Sequence, residues 1–320
     1  MGNIAIFPLS LMAAALLWFA ALPFLPLGHD VAWIDEAYRI KEAAARRTAG
    51  PRIILIGGSA THFGFSATEL TKATGVPAVN LGVYAGVGVH YILARARRTL
   101  RSGDIAIVSL EPTLLYGSWP VTEQFVATVV HADPRCLLDA PMQDAPRLLL
   151  SISPLKEITY QVQRLAPFRS SFYQSATIDR ATGDETANTS NNVLPDMRAR
   201  VAATQPILPE LLGPEDRLWP LHEFGTWANS RNVRIFFAWI PMLTRDVYQS
   251  DTYRRYFTNR SDVFLAAGFA QLGHPEDYMV SIDVTLDTPF HLTTDGARAV
   301  TAKMAHHLIR ALPTRHSQKD

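Results

Sequence analysis

The chain has 320 residues and sets 30 Lys plus Arg against 29 Asp plus Glu, a formal charge of +1. That balance excludes a polybasic nucleic-acid binder, and the 48% hydrophobic share is far from a disordered composition. Charged residues make up only 18%, below the roughly 25% of an ordinary soluble protein, so an apolar segment dilutes them.

That segment is the N-terminus. Residues 1–28 hold no Asp, Glu, Lys or Arg, and the stretch from Ile4 to Leu27 is apolar apart from Ser10 and three prolines. As a helix it would reach roughly 36 Å, enough for a hydrocarbon core of about 30 Å. A cleaved signal peptide is the competing reading. It lacks a positive leading region and a small-x-small cleavage site, so an uncleaved single-pass anchor is expected. The basic residues beyond the span (Arg39, Lys41, Arg46 and Arg47) would by count keep the following chain in the cytoplasm, but they lie toward the far end of the window that counts and a long domain can cross regardless, so charge leaves both orientations open. The single cysteine, Cys136, forbids an intrachain disulfide and a cysteine zinc site, and its Leu137-Leu138 neighbours suggest a buried thiol.

Beyond the anchor, Ala32 to Ala49 reads as a helical stalk stopped by Gly50-Pro51. Ile53 to Ile56 is a short buried strand ending in Gly57-Gly58, and Thr68 to Thr74 a short helix closed by Gly75. A second strand covers Pro77 to Leu81, an amphipathic helix Val87 to Arg101, and a third strand Asp104 to Leu110. Strand alternating with helix in this way predicts a parallel βαβ arrangement and a three-layer α/β domain over residues 51–313. The stretch from Ser170 to Gly213 is polar, without periodicity, and reads as a long surface excursion, a lid or partner-binding loop. The pattern then resumes with a helix over Glu215 to Asn229, a strand over Val233 to Ile240 and a helix over Arg254 to Ala270. A Thr-capped helix from Thr294 to Leu312 and a polar tail over 314–320 end the chain.

Two places could carry chemistry. The first is the turn Gly57-Gly58-Ser59 at the C-terminal end of the first strand, where a parallel sheet opens its binding crevice. The second is Asp287-Thr288-Pro289-Phe290-His291, where an Asp and a His four apart can act as orienter and base. Gly82 to Gly88 does not have dinucleotide-binding spacing, and no Gly-x-x-x-x-Gly-Lys loop is present. His306-His307 reads as a solvated helix face rather than a metal site, and Trp219, Trp227 and Trp239 as core. No cofactor or metal is expected.

The order of these blocks resembles the SGNH (GDSL-like) hydrolase superfamily, and within it the membrane-anchored branches related to alginate acetylation and teichoic-acid D-alanylation proteins. The resemblance runs from about Arg52 to Leu312 without the polar excursion. It implies a flavodoxin-like parallel sheet with Ser59 as nucleophile, His291 as base and Asp287 as orienter. The Ser59 amide and a glycine of the second block, Gly82 or Gly86, would then form the oxyanion hole. Two features depart from the common pattern: Glu111 stands where the third block has an Asn, and three residues rather than two separate Asp287 from His291. The resemblance implies a serine esterase or O-acyltransferase acting on a cell-envelope or secreted polysaccharide, in a domain outside the cytoplasmic membrane. The implied partners are a polysaccharide or acyl-donor substrate, the membrane, and a polysaccharide synthase or acyl-transport complex, with no nucleic acid. The rival expectation is a non-catalytic subunit of a polysaccharide synthesis or export complex.

Overall fold

A computed structural model describes residues 29–115, 172–209 and 219–312, with positions 10, 13, 17, 125, 126, 128 and 132–138. The expected membrane span, apart from three isolated positions, and the tail 314–320 lie outside the described residues. Among the described residues no helix is long and apolar enough to cross a membrane. The chain divides into two compact units, one of residues 1–35 with 121–171 and one of residues 36–120 with 172–320. In the first, Pro134–Leu138 forms a 3-10 turn that carries Cys136, a buried thiol as expected.

The second unit holds the sheet. Helix α1 (His29–Arg47) leads into β1 (Ile53–Gly57), α2 (Ser59–Gly64), α3 (Ala67–Thr74), β2 (Ala78–Asn80), α4 (Gly88–Thr99) and β3 (Ile105–Ser109). After the polar stretch, which contributes α5 (Pro195–Ala203), come α6 (Trp219–Ser230), β4 (Arg234–Ala238), β5 (Met242–Leu243) and α7 (Asp251–Ala266). Strands β6 (Ala270–Leu272) and β7 (Met279–Val280) precede the final helix α8 (Thr294–Ala311). Five strands form one parallel sheet in the order β2-β1-β3-β4-β6. Counting only the strands of that sheet, this is the 2-1-3-4-5 order of the doubly wound folds, with its switch point at β1 and β3. Strands β5 and β7 pair separately.

Strands β1 and β3 are buried at every position, which is why they read as continuous Ile, Leu and Val runs without alternation. Helices α4 and α6 pack on one another, and α8 packs on both α2 and α3. The chain reverses direction between the β1–β2 and β2–β3 crossovers, and right-handed crossovers then put these two groups on opposite faces. At the N-terminal ends of β1 and β3, fully buried Arg52 is paired with Asp104, whose Oδ1 accepts from the Arg52 amide (3.1 Å) and Nε (3.2 Å).

Three expectations change. The stalk is not free: from Glu36 onward α1 lies along the sheet unit, with Tyr38, Lys41, Ala44 and Ala45 buried. Its charges had suggested a solvated helix, but Lys41 reaches inward to donate to the carbonyls of Asn80 (3.1 Å) and Gly183. The polar stretch is exposed or half-buried over most of its described part, yet Asp184, Glu185 and Asn188 within it are buried. Its polar side chains substitute for backbone partners: Asp184 accepts from the amides of Ala67 (2.6 Å) and Thr68 (2.9 Å) and caps α3. Finally, the helix expected over Arg254 to Ala270 stops at Ala266, and Ala270 already belongs to strand β6.

Candidate active site

The register of β1 against β3 sets Gly57 opposite Ser109. Two residues further along each strand, beyond the C-terminal edge of the sheet, stand Ser59 and Glu111. Close packing explains the two glycines before Ser59. A Cβ on Gly57 would strike the Ser109 carbonyl and the Thr61 hydroxyl; one on Gly58 would lie 2.6 and 2.7 Å from the two carboxyl oxygens of Glu111. Ser59 opens α2 and donates through Oγ to Glu111 Oε1 at 3.4 Å, while the Ala60 amide donates to the same oxygen at 2.6 Å.

His291 arrives from the loop before α8. That loop closes on itself: the amides of Phe290 (3.2 Å) and His291 (3.1 Å) both donate to Thr288 Oγ1, and the Leu286 amide donates to the His291 carbonyl at 2.9 Å. A bridge between Thr285 and Leu292 completes the turn. The imidazole Nδ1 lies 2.8 Å from Asp287 Oδ1, and the ring packs against Phe63 with 4.7 Å between centroids and edge-on to Tyr173 at 6.4 Å. Burial pushes the Asp287 carboxyl up, but the hydrogen bond and charge of His291 together outweigh it and hold the group below the usual carboxylate value. An ionised Asp287 fixes the proton on Nδ1 and leaves Nε2 as the basic nitrogen.

Ser59, Gly86, Glu111 and His291 line one open cleft of roughly 570 Å³, within the size range of small-molecule sites. Four of the residues singled out in the sequence are thus brought together, with Asp287 behind His291. Gly82 is not: its amide donates to Asn80 Oδ1 at 2.8 Å and is occupied. The Asn80 side chain also donates to the carbonyls of Thr61 and Phe65, both at 3.1 Å, so this Asn-Leu-Gly run braces β2 against α2. Gly86 remains as the glycine beside the cleft. Among the described residues Ser59 makes no hydrogen bond to His291; its partner is Glu111.

Sequence reasoning missed the rest of the wall. Tyr84, Tyr173, Pro206, Ile207, Leu208 and Phe290 give the cleft an apolar and aromatic lining, and among the described residues no Lys or Arg is part of it. Tyr173 and the 206–208 segment lie in the aperiodic stretch, where an aromatic and two aliphatics amid polar residues were the available signal. Also missed was a buried polar layer behind His291. There, burial drives Lys41 down to about 7 against the pull of Asp184 and Glu185, and drives His62 down with help from Lys41 and His291. His62 Nε2 lies 3.7 Å from Glu185 Oε2. Trp239 is core, as expected; His307 is not merely solvated, since it lies 3.1 Å from Asp277. Among the described residues no cluster suited to a metal ion occurs. No protein-family model matches the chain, and no curated protein does so.

Proposed function

We propose that the protein is a membrane-anchored serine esterase or O-acyltransferase acting on acyl esters of a cell-envelope or secreted polysaccharide. The observation that carries this reading is the convergence, on one cleft, of Ser59 from the end of β1 with His291, itself oriented by Asp287. In this mechanism Ser59 Oγ attacks the acyl carbonyl while its proton passes to His291 Nε2. The oxyanion faces the amides of Ser59 and Gly86. As the ester C–O bond breaks, the departing alkoxide takes the proton from His291, and water or a sugar hydroxyl then accepts the acyl group. The aromatic wall of Tyr84 and Tyr173 suits the faces of sugar rings, and the absence of cationic side chains from the described lining favours an uncharged substrate segment.

In the same reading the segment Leu9 to Leu22 tethers the chain, with the sheet unit on the outer side of the cytoplasmic membrane. Alkaline phosphatase fused at the C-terminus is expected to be active; activity of a cytoplasmic reporter alone would reverse the orientation. The catalytic reading is tested by serine-directed fluorophosphonate. Peptide mapping is expected to find the adduct on Ser59, and turnover of a chromogenic acetyl ester, with and without a glycan acceptor, separates hydrolysis from transfer. No adduct at Ser59, beside a serine esterase that labels normally, would refute it. One observation favours a second reading, a non-catalytic subunit of a polysaccharide synthesis or export complex: Ser59 is hydrogen-bonded to Glu111 rather than to His291.

A further inference from the structure

We propose that Glu111 is held as the neutral acid and that its carboxyl O–H donates to the carbonyl oxygen of the acyl group that Ser59 attacks. This rests on the acyl-transfer reading of the cleft. The two carboxyl oxygens are not equivalent. Oε1 accepts twice, from the Ala60 amide at 2.6 Å and the Ser59 hydroxyl at 3.4 Å, as a carbonyl-type oxygen would. Oε2 is buried and has no hydrogen-bond partner. Among the described residues no Lys or Arg pairs with this carboxyl. An ionised Glu111 would therefore bury a negative charge with backbone amides alone to answer it, a costly arrangement for such a group. The neutral acid instead puts an O–H donor beside the nucleophile, on the wall of the cleft that holds Ser59, Gly86 and His291.

The surroundings favour the same form. Burial pushes the Glu111 carboxyl up, and it stays above the ordinary value although the amides of Ala60, Glu111 itself and Gly58 and the charge of His291 pull it down. Tyr173 is the other titratable group that faces it, and burial keeps that phenol un-ionised at any ordinary pH. Gly58 leaves the space that the two carboxyl oxygens fill. A carboxylate here would repel the developing oxyanion; a carboxylic acid stabilises it. The protons balance without consuming this one. Ser59's proton goes to His291 and from there to the leaving alkoxide, while Glu111 shares its own with the oxyanion and keeps it when the intermediate collapses.

Infrared difference spectra of wild type against Glu111→Gln at neutral pH, together with fluorophosphonate labelling rates across pH, test this. The expected results are a protonated-carboxyl C=O band lost in Glu111→Gln and a wild-type labelling rate that falls on the alkaline side. Gln keeps an N–H donor in place of the acid, so at neutral pH Glu111→Gln should label more slowly than wild type but faster than Glu111→Ala, and it should lose the alkaline fall. Glu111→Ala should label about 10²–10³-fold more slowly, the cost of one oxyanion donor. Absence of the band, or an alkaline fall that survives in Glu111→Gln, overturns the proposal. A protonated Glu111 in a wild-type protein whose Ser59 never labels would overturn the acyl reading and the donor role, yet leave the proton where it is placed here.

Discussion

The Arg52–Asp104 pair offers a direct test of what holds β1 and β3 in the register that brings Ser59 level with Glu111. Asp104 accepts from the Arg52 amide, Nε and Nη2 and from the Arg101 amide (2.8 Å), and Arg52 also donates to the carbonyls of Ala45 and Thr99. Both side chains are buried to within 1%. Asp104→Ala would strand a guanidinium in the interior with two carbonyls for company, and breaking such a pair from one side costs about 3–5 kcal/mol. For a unit of this size each kcal/mol lowers Tm by about 2–4 °C, so the fall should be roughly 6–20 °C. Arg52→Met with Asp104→Leu removes both charges together. The Arg52 and Arg101 amides then lose their acceptor, at about 1 kcal/mol each, so the double variant should lose roughly 2 kcal/mol, less than the single. Thermal melts of the full chain, read beside Ser59 labelling below Tm, give the comparison. A loss under about 1 kcal/mol for Asp104→Ala, or a double variant worse than the single, would refute the reasoning.

Other outcomes follow from the site and its supports. Ser59→Ala and His291→Ala should each abolish nearly all acyl-enzyme formation, and the double variant should lose little more, because the two act as one unit; Asp287→Asn should be milder, and single-turnover kinetics read all four. Lys41 binds its proton less tightly folded than unfolded, so the unfolded chain carries the extra proton between pH 7 and about 10; stability should therefore rise with pH across that window, and melts of Lys41→Met should lose the rise. The Asp287 carboxyl is depressed as well, but there the charged form is the favoured one: it contributes stability above the unfolded value near 4 that is lost as pH falls through the folded one, a loss that melts of Asp287→Asn should not show. Asp184→Ala deprives the Ser66 and Thr68 hydroxyls and the Ala67 and Thr68 amides of their acceptor, and should cost about 2–3 kcal/mol by denaturant titration.

The alternation of buried strands with amphipathic helices was legible because β1 and β3 are apolar throughout and α8 begins at a Thr cap that accepts from Gly296. Strand β6 was not: Ala-Gln-Leu has no β-branched residue, only Leu272 is buried, and its place is set by pairing with β4. Helix α1 misled because its charges do their work inside, Lys41 on carbonyls and Glu42 on Arg95 at 2.6 Å, and charge in a sequence does not say which way a side chain faces. At the site, Ser59, Asp287 and His291 stood out through their neighbours in sequence. Glu111 stood out only as a misfit, since what makes it special is the amide of Ala60 and the empty space at Gly58, neither of which sequence spacing records. Tyr173 and Ile207 come to the cleft through tertiary packing alone, so no local period marks them.

The docking of the 179–188 segment has a consequence for how the chain behaves in company. Strand β2 is the outermost strand of the sheet on its side, with three residues whose outward amides and carbonyls could pair with a strand from another molecule. The Thr182 carbonyl already takes the Asn80 amide at 2.8 Å, and Gly183 packs over the Asn80 carbonyl so closely that a Cβ there would lie 2.5 Å away. The segment that caps helix α3 through Asp184 is thus also a guard against edge-to-edge association. Loosening Asp184 should raise self-association, seen as concentration-dependent light scattering, at temperatures where the sheet itself is still intact.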